Sequence, residues 1–202
     1  MNTVKYKNKL ISVSKIVCIG RNYVDHIKEM GSETPTESVI FMKPNSAISD
    51  ELISGVDVVN HYEAEICFLI KEGKLSAVGF GLDLTKRSVQ KTLKEKGLPW
   101  ERSKAFDGSA VFSEFVDFDT LEGLSLELKI DGQIIQQANY DLMIHKPQSL
   151  LIDIQKQFSL IDGDIIMTGT PKGVGPILKG SEFIGSLSEA DSVIVDHKWN
   201  AQ

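Results

Sequence analysis

Short apolar and β-branched runs, each ended by a turn signal, recur along the chain. The clearest example is Asp131-Gly132, which lies between the runs Leu124–Ile130 and Gln133–Asn139. Because both central residues of a two-residue hairpin turn need positive φ, this dipeptide predicts a pair of antiparallel strands. Many short strands and few helices favour a β-dominated α+β fold.

The other predicted elements follow from the same local patterns. Further strands are expected at Lys15–Gly20, 38–42 (ended by Lys43-Pro44), 164–167 and 192–195, and the longest extended segment covers 58–70. Helices are expected over 22–30 with Asn22 as N-cap and Gly31 as stop, over 85–96 with Thr85 as N-cap and Gly97 as stop, and over 149–158 after Pro147.

Composition limits the possible partners. The 202 residues contain no repeat and no long linker, which predicts a single domain over 1–202. A net charge of -6 without a long basic block argues against nucleic acid. No secretory signal opens the chain and no apolar run is long enough to span a bilayer, so we expect a cytoplasmic protein without a membrane partner. Cys18 and Cys67 lack the spacing of metal ligands, which favours buried free thiols.

Residues 61–70 alternate in polarity and carry the first candidate site. His61, Glu63 and Glu65 share one strand face, which continues into Cys67 and Leu69, whereas the opposite face is apolar from position 64 onward. Paired carboxylates on a strand are usually its solvated side. Here the polar face runs into core, where like charges need a cation or a proton between them. Mg²⁺ or Mn²⁺ would meet that need, with Asp83 as a candidate third ligand.

Other polar residues have both a functional and an ordinary interpretation. His26 and Glu29 stand three apart on a predicted helix, either as a surface pair or as a base held by a carboxylate. Lys104 lies in a turn-like run where lysine is normally solvent-facing, and Arg21 directly follows a strand. The Gly-rich segment 168–175 matches no nucleotide-binding motif, although its N–H groups and the Thr170 hydroxyl could bind a small anion. No serine hydrolase elbow or zincin motif is present.

The order of these motifs is more specific than any one of them. Gly20-Arg21-Asn22-Tyr23 with Asp25-His26, then Lys43-Pro44, His61-x-Glu63-x-Glu65, Asp83 and Thr168-Gly169-Thr170-Pro171 follow one another. This order resembles the fumarylacetoacetate hydrolase family, and Gly97-Leu98-Pro99-Trp100 followed by Lys104 is similar to its short acylpyruvate hydrolase branch. The resemblance covers roughly residues 15–195.

The resemblance implies a mixed β-roll, usually dimeric, with a Mg²⁺ or Mn²⁺ site at its mouth. By matching position, Glu63, Glu65 and Asp83 would be the metal ligands, and His26 and Glu29 would be the pair that activates water. Lys104 would face the oxyanion or enolate. Arg21, Gln90 and Thr170 would line the substrate pocket. Lys43 and Arg87 also match family positions, with less defined roles. The chain departs from the family pattern at Gly81-Leu82 and at Ser109-Ala110-Val111, both next to implied site residues.

The implied chemistry starts from a 2-oxo acid that chelates the metal through its carboxylate and 2-oxo oxygens. Since both members of the water-activating pair are present, the sequence favours hydrolysis of an acylpyruvate to pyruvate and a carboxylic acid. An alternative is oxaloacetate tautomerisation or decarboxylation, which needs enolate stabilisation but no attacking water. A metal-dependent dicarboxylate-binding protein without turnover is the non-enzymatic alternative.

Overall fold

The computed structural model describes residues 1–31, 33–55 and 57–202 and is built mainly of strands. In chain order, the strands β1 to β15 are Thr3–Tyr6, Lys9–Ser12, Lys15–Gly20, Val39–Pro44, Asn60–Tyr62, Ala64–Lys71, Lys74–Asp83, Thr85–Lys86, Ala110–Phe112, Leu124–Ile130, Gln133–Asn139, Ile165–Met167, Gly175–Pro176, Glu182–Glu189 and Ser192–Asn200. The helices α1 to α4 are Val24–Glu29, Arg87–Glu95, Glu101–Lys104 and Pro147–Gln157. The predicted β-dominated α+β class is confirmed.

Two large sheets form the body of the fold. A six-stranded mixed sheet has the order β4-β3-β12-β6-β7-β9, in which β3 and β12 are parallel and the other neighbours antiparallel. A four-stranded antiparallel sheet has the order β11-β10-β14-β15. A small sheet, β13-β5-β8, and the β1-β2 hairpin complete the arrangement. The small sheet brings the segment before β6 next to the segment after β7.

Strand β6 is buried on both of its faces. Ala64, Ile66 and Phe68 enter the core between the two large sheets, whereas Cys67 and Leu69 enter a second core on the opposite side. The predicted alternation is therefore correct. Because both faces are covered, the carboxylates at the start of this strand are held in an interior setting.

Helix α4 covers the six-stranded sheet near β3 and β12, on the same face as the four-stranded sheet, because Val17 and Ile166 are paired in register with Phe68. Leu150 and Ile154 pack there with Val17, Ile19 and Ile166. Burial of each such side chain stabilises the fold by about 1.5–3 kcal/mol. No helix in the described residues has both the length and the apolar character needed to cross a membrane.

Two local predictions are confirmed in detail. The Asp131-Gly132 hairpin joins β10 to β11, with φ of 49° and 79° at its two central residues. Cys18 and Cys67 are buried free thiols, as expected, and burial raises the pKa of both.

The expected long strand over 58–70 is interrupted at Glu63. Residues on its two sides belong to different sheets, since β5 pairs with β8 and β13 whereas β6 pairs with β7 and β12. The predicted helix over 85–96 also begins two residues late. Thr85 is not its N-cap but a strand residue, and the Thr85 hydroxyl donates to the Asp83 carbonyl (3.2 Å).

Two further boundaries were wrong. Asn22 does not cap α1, whose N-cap is Tyr23; the buried Asn22 amide instead donates to the carbonyls of His145 and Thr168 (3.0 and 2.8 Å). Lys43 and Pro44 do not end the preceding strand but belong to β4. Proline is tolerated there because β4 is an edge strand and Pro44 lies at its end.

Candidate active site

Three carboxylates converge where β5, β6 and β7 meet. Glu63 occupies the break between β5 and β6, Glu65 is the second residue of β6, and Asp83 ends β7. The Asp83 N–H donates to the Glu63 carbonyl (2.9 Å), which fixes the two segments together. One oxygen from each carboxylate lies within 4.8 Å of the others. All three residues are at most 5% exposed, so the solvated-face interpretation is wrong.

Three cations surround these carboxylates. Lys104 Nζ donates to Glu63 Oε2 and to Asp83 Oδ2, both at 2.7 Å. Lys43 Nζ lies 2.8 Å from Asp83 Oδ1, and the Arg87 guanidinium bonds Glu63. Lys104 and Lys43 are buried, so the ordinary interpretation of Lys104 as a solvent-facing lysine is wrong. Three positive side chains thus face three negative ones.

The charges of this cluster shift its pKa values in opposite directions. Burial raises the pKa of Glu63, but Lys104, Arg87 and His26 outweigh burial and hold it below its ordinary value. Burial lowers the pKa of Lys104, yet Asp83 and Glu63 raise it to about 12. Glu65 behaves differently, because burial and the charges of Asp83 and Glu63 raise its pKa. Glu65 is therefore the carboxylate least compensated by the protein's own cations.

The donor set fits a hard divalent cation. Carboxylate oxygens are the ligands that Mg²⁺ and Mn²⁺ prefer, and three of them meet here in a buried position. Positive charge is already favoured at this point, since Lys104 bridges two of the carboxylates. A cation would also compensate Glu65. The residues that would hold it are Glu63, Glu65 and Asp83.

His26 and Glu29 form a hydrogen-bonded pair beside the carboxylates. His26 Nδ1 lies 3.0 Å from Glu29 Oε2, and His26 is buried. The second carboxylate oxygen of Glu29 accepts the Gly173 N–H (3.0 Å). Since the charge of His26 lowers the pKa of Glu63, the pair adjoins the cluster. Burial of the ring and fixation of Glu29 distinguish this pair from an ordinary surface pair.

The segment 168–175 connects the parts of the site. The Gly169 N–H donates to Glu65 Oε2 (2.7 Å), and the Gly173 N–H reaches Glu29. At Gly169, φ is +100° and a Cβ atom would lie 2.8 Å from the Asn22 Cβ, so the position requires glycine. Two of the N–H groups expected to bind a small anion therefore hold the protein's own carboxylates.

The residues implied as pocket residues lie on three separate segments. Arg21 follows β3 with φ of +58°, and Thr170 is buried in the segment 168–175. Gln90 is buried on α2, where its Oε1 accepts from Arg87 Nη1 (2.8 Å).

Sequence reasoning missed two residues near this site. Lys94 is one helical turn beyond Gln90, and burial together with the charges of Arg21 and Arg87 lowers its pKa. The spacing of 87, 90 and 94 on one helix face was the available signal. Gln136 is buried against Thr170 and was given no role. No local pattern marks it.

An apolar wall lies next to Lys104. Its ammonium stands 5.1 Å from the centre of the Phe41 ring, and that ring packs on Trp100 with 5.8 Å between centres. These residues line a groove of about 490 Å³ with Leu98 and Pro99. The 97–100 run thus forms one side of a groove that reaches Lys104.

The two departures from the family pattern are neighbours in space. In the β7–β9 pairing, Gly81 faces Phe112, Leu82 faces Val111 and Asp83 faces Ala110. A Cβ at Gly81 would lie 2.6 Å from the Cys67 sulfur. The two departures therefore meet across the β7–β9 pairing, next to Asp83.

Residues 15–197 match the family model described as fumarylacetoacetate (FAA) hydrolase C-terminal. The chain belongs to the fumarylacetoacetate hydrolase family, as its motif order predicted. It is similar to the oxaloacetate tautomerase YcgM of Escherichia coli K12, with 40% identity over 85% of this chain and 87% of the relative. It is 37% identical to the mitochondrial oxaloacetate tautomerase FAHD1 of Bos taurus, over 83% and 84% of the two chains.

Solved structures show the same fold. A family protein from Oleispira antarctica, described as a fumarylacetoacetate isomerase/hydrolase, superposes with a TM-score of 0.94 at 33% identity, over the full length of both chains. Fumarylpyruvate hydrolase from Pseudomonas aeruginosa, solved with Mn²⁺ and pyruvate, gives 0.87 at 26% identity over 100% of this chain and 96% of that one. The predicted fold type is confirmed.

The comparisons correct the predicted activity. Relatives 31–40% identical to this chain are oxaloacetate tautomerases, whereas the sequence favoured acylpyruvate hydrolysis. The inference from the His26–Glu29 pair failed because a histidine held by a carboxylate is a general acid–base for proton transfer at either carbon or water, so the pair alone does not indicate hydrolysis. The prediction of an enzyme stands, but that of a hydrolase does not.

Proposed function

We propose that the protein is an oxaloacetate tautomerase that interconverts the enol and keto forms of this 2-oxo dicarboxylate with Mg²⁺ or Mn²⁺. The observation that carries the proposal is the buried carboxylate–cation cluster with the His26–Glu29 pair at its side. The relatives of known activity support the choice of reaction.

The charge of the site favours a dianion. Three carboxylates and three cations balance one another, so a bound divalent cation leaves an excess of positive charge. A dicarboxylate offsets that excess, whereas a monocarboxylate does so only in part. Arg21 and Lys94 add positive charge near Arg87. We assign Arg21, Gln90 and Thr170 to substrate binding and Lys94 to attraction of the second carboxylate.

Ketonisation moves one proton from the enol oxygen and adds one at C3. A bound divalent cation supplies Lewis-acid stabilisation of negative charge on the 2-oxo oxygen. Protonated His26 donates its proton to C3 through Nε2, the ring nitrogen that does not bond Glu29; the enol proton leaves to solvent, and solvent reprotonates His26. Glu29 orients the ring and stabilises its protonated form, because its carboxylate is itself held by Gly173. Lys104 places a second positive charge near the oxygen side of the substrate.

The assembly and the location also belong to the proposal. A homodimer is proposed from the family resemblance, and a cytoplasmic location from the two buried free cysteines, which suit a reducing compartment. Small 2-oxo acids are the proposed partners, without nucleic acid or membrane.

The assay that tests the function follows the enol absorbance of oxaloacetate with Mg²⁺ and identifies the product by NMR. Wild type should accelerate conversion to keto-oxaloacetate over buffer. His26→Ala should lose about 10²–10⁴-fold of the rate, as for removal of a positioned acid–base group. Lys28→Ala, an exposed change on the same helix, is the control. Unchanged turnover in His26→Ala, or pyruvate as the main product, would contradict the proposal.

A further inference from the structure

Gln136 is a buried amide in β11 that has no part in the proposed proton transfer. It is 1% exposed, and both ends of its side chain are hydrogen-bonded. Its Oε1 accepts the Ala64 N–H (3.0 Å), and its Nε2 donates to Thr170 Oγ1 and to the Pro171 carbonyl, both at 2.9 Å. A buried amide with this many partners is strongly fixed in orientation.

The partners of Gln136 belong to the two segments that build the site. Ala64 stands between Glu63 and Glu65, and Thr170 follows the glycine whose N–H binds Glu65. Gln136 itself lies on the edge strand of the four-stranded sheet. One amide therefore ties the carboxylate segment and the segment 168–175 to a different sheet.

The direction of these bonds determines what the Thr170 hydroxyl can do. Its oxygen accepts from Gln136, and a hydroxyl has a single proton to donate. Among the described residues, its one acceptor is the Pro171 carbonyl at 3.4 Å, which already accepts from Gln136. The Thr170 hydroxyl proton therefore has only a weak acceptor within the protein and is available to a ligand.

We propose that Gln136 is a positioning residue that fixes the Thr170 hydroxyl as a hydrogen-bond donor to the carboxylate of a bound 2-oxo acid. Gln136 acts through Thr170 without touching the ligand. The inference rests on the proposed function for the class of ligand.

A double-mutant cycle on ligand binding tests this role. Pyruvate binding is measured by calorimetry at saturating Mn²⁺ for wild type, Gln136→Met, Thr170→Val and the double variant. Each single change should weaken binding about tenfold, equivalent to ~1.4 kcal/mol, and the double variant should be no weaker than Thr170→Val alone. Gln137→Met is the matched control, because Gln137 is the next residue on the strand and exposed. It should bind pyruvate as wild type does.

A second variant and a second measurement separate positioning from general support of the fold. Gln136→Glu keeps an acceptor for the Ala64 N–H while its ionised form cannot donate to Thr170, so it should also weaken binding; it carries the test if Gln136→Met does not fold. Independent, additive losses in the double variant, or normal pyruvate binding in both Gln136 variants, would overturn the inference. Failure of wild type to bind pyruvate would overturn it too.

The tautomerase assay distinguishes the two proposals. Coupled pyruvate binding without acceleration of enol loss would refute the proposed reaction and leave the positioning role intact. Acceleration with additive effects in the cycle would refute the positioning role alone.

Discussion

At the scale of single residues, the site assigns separate cations to separate tasks. Lys43, Lys104 and Arg87 each contact a carboxylate of the cluster. Lys94 instead has cationic neighbours, because Arg21 and Arg87 are the charged groups that lower its pKa. Lys94→Gln should therefore raise the KM for oxaloacetate severalfold while leaving kcat and pyruvate affinity nearly unchanged, because pyruvate lacks the second carboxylate. Steady-state kinetics of Lys94→Gln and of Lys91→Gln, an exposed change on the same helix, check this. Equal losses for both ligands would argue against recognition of a second carboxylate.

A residue outside the site should make stability depend on pH. Burial, assisted by the charge of Lys5, lowers the pKa of His197 below its ordinary 6.5. As pH falls below about 6.5, the unfolded chain takes up a proton there before the folded chain does, so stability is lost. His197→Gln lacks this loss and should become more stable relative to wild type as the pH falls from about 7.5 to 5.5. Urea unfolding at both pH values measures the difference, and a constant difference would refute the assignment.

At the scale of elements, the segment 168–175 is the part on which the site depends most. In Gly169→Ala, the added Cβ should disfavour the positive φ of this residue and collide with Asn22. The hydrogen bond from the residue 169 N–H to Glu65 should weaken as a result, and kcat should fall about tenfold or more. Gly180→Ala is the matched control, since Gly180 also has positive φ (+88°) but no atom within 4 Å of its added Cβ. Both variants should lose stability of about 1 kcal/mol or more. Full activity in Gly169→Ala would show that the segment is not part of the site.

Elements specified by local chemistry were predictable, and those specified by pairing were not. Asp131-Gly132 determines its own turn because positive φ is a property of those two residues. Strand β7 was missed, since its glycines at 79 and 81 weaken the pattern that marks a strand. These glycines make room for Phe115 and Cys67 from elsewhere in the chain. Thr85 was assigned to a helix because its local sequence does not mark it as a strand residue. Only its pairing with His61 makes it one.

At the scale of the whole molecule, the metal should contribute to stability. A cation that binds the folded chain and not the unfolded one stabilises it by about 2.7 kcal/mol at a hundredfold excess over Kd. Mn²⁺ should therefore raise the Tm, and EDTA should reverse the rise and abolish turnover. Glu63→Gln removes one ligand charge with little change in shape, so its Tm should respond less to Mn²⁺. Scanning calorimetry measures the Tm of both proteins with and without Mn²⁺. If Mn²⁺ raises the Tm of Glu63→Gln as much as that of wild type, Glu63 is not a metal ligand.

The sequence predicted those site residues that belong to motifs whose order along the chain matches the family. The positions of Glu63, Glu65 and Asp83 were available from the sequence, and the structure brings them together. The role of Gln136 was not, because its partners lie 34 and 72 residues away and depend on how two sheets meet. The choice of activity was also wrong: the sequence favoured hydrolysis and kept oxaloacetate tautomerisation as the alternative, and the relatives support the alternative, because an acid–base pair alone does not tell the two reactions apart.

The central claim is that His26, oriented by Glu29, transfers a proton at C3 of oxaloacetate. The most direct measurement converts enol-oxaloacetate in D₂O with the Mg²⁺-loaded protein, traps the keto product at once by enzymatic reduction, and locates the deuterium by NMR. Wild type should place deuterium on one face of C3, whereas His26→Ala should give the mixture seen in buffer. Rapid ketonisation by wild type with deuterium on both faces, or an unchanged single-face label in His26→Ala, would contradict the account.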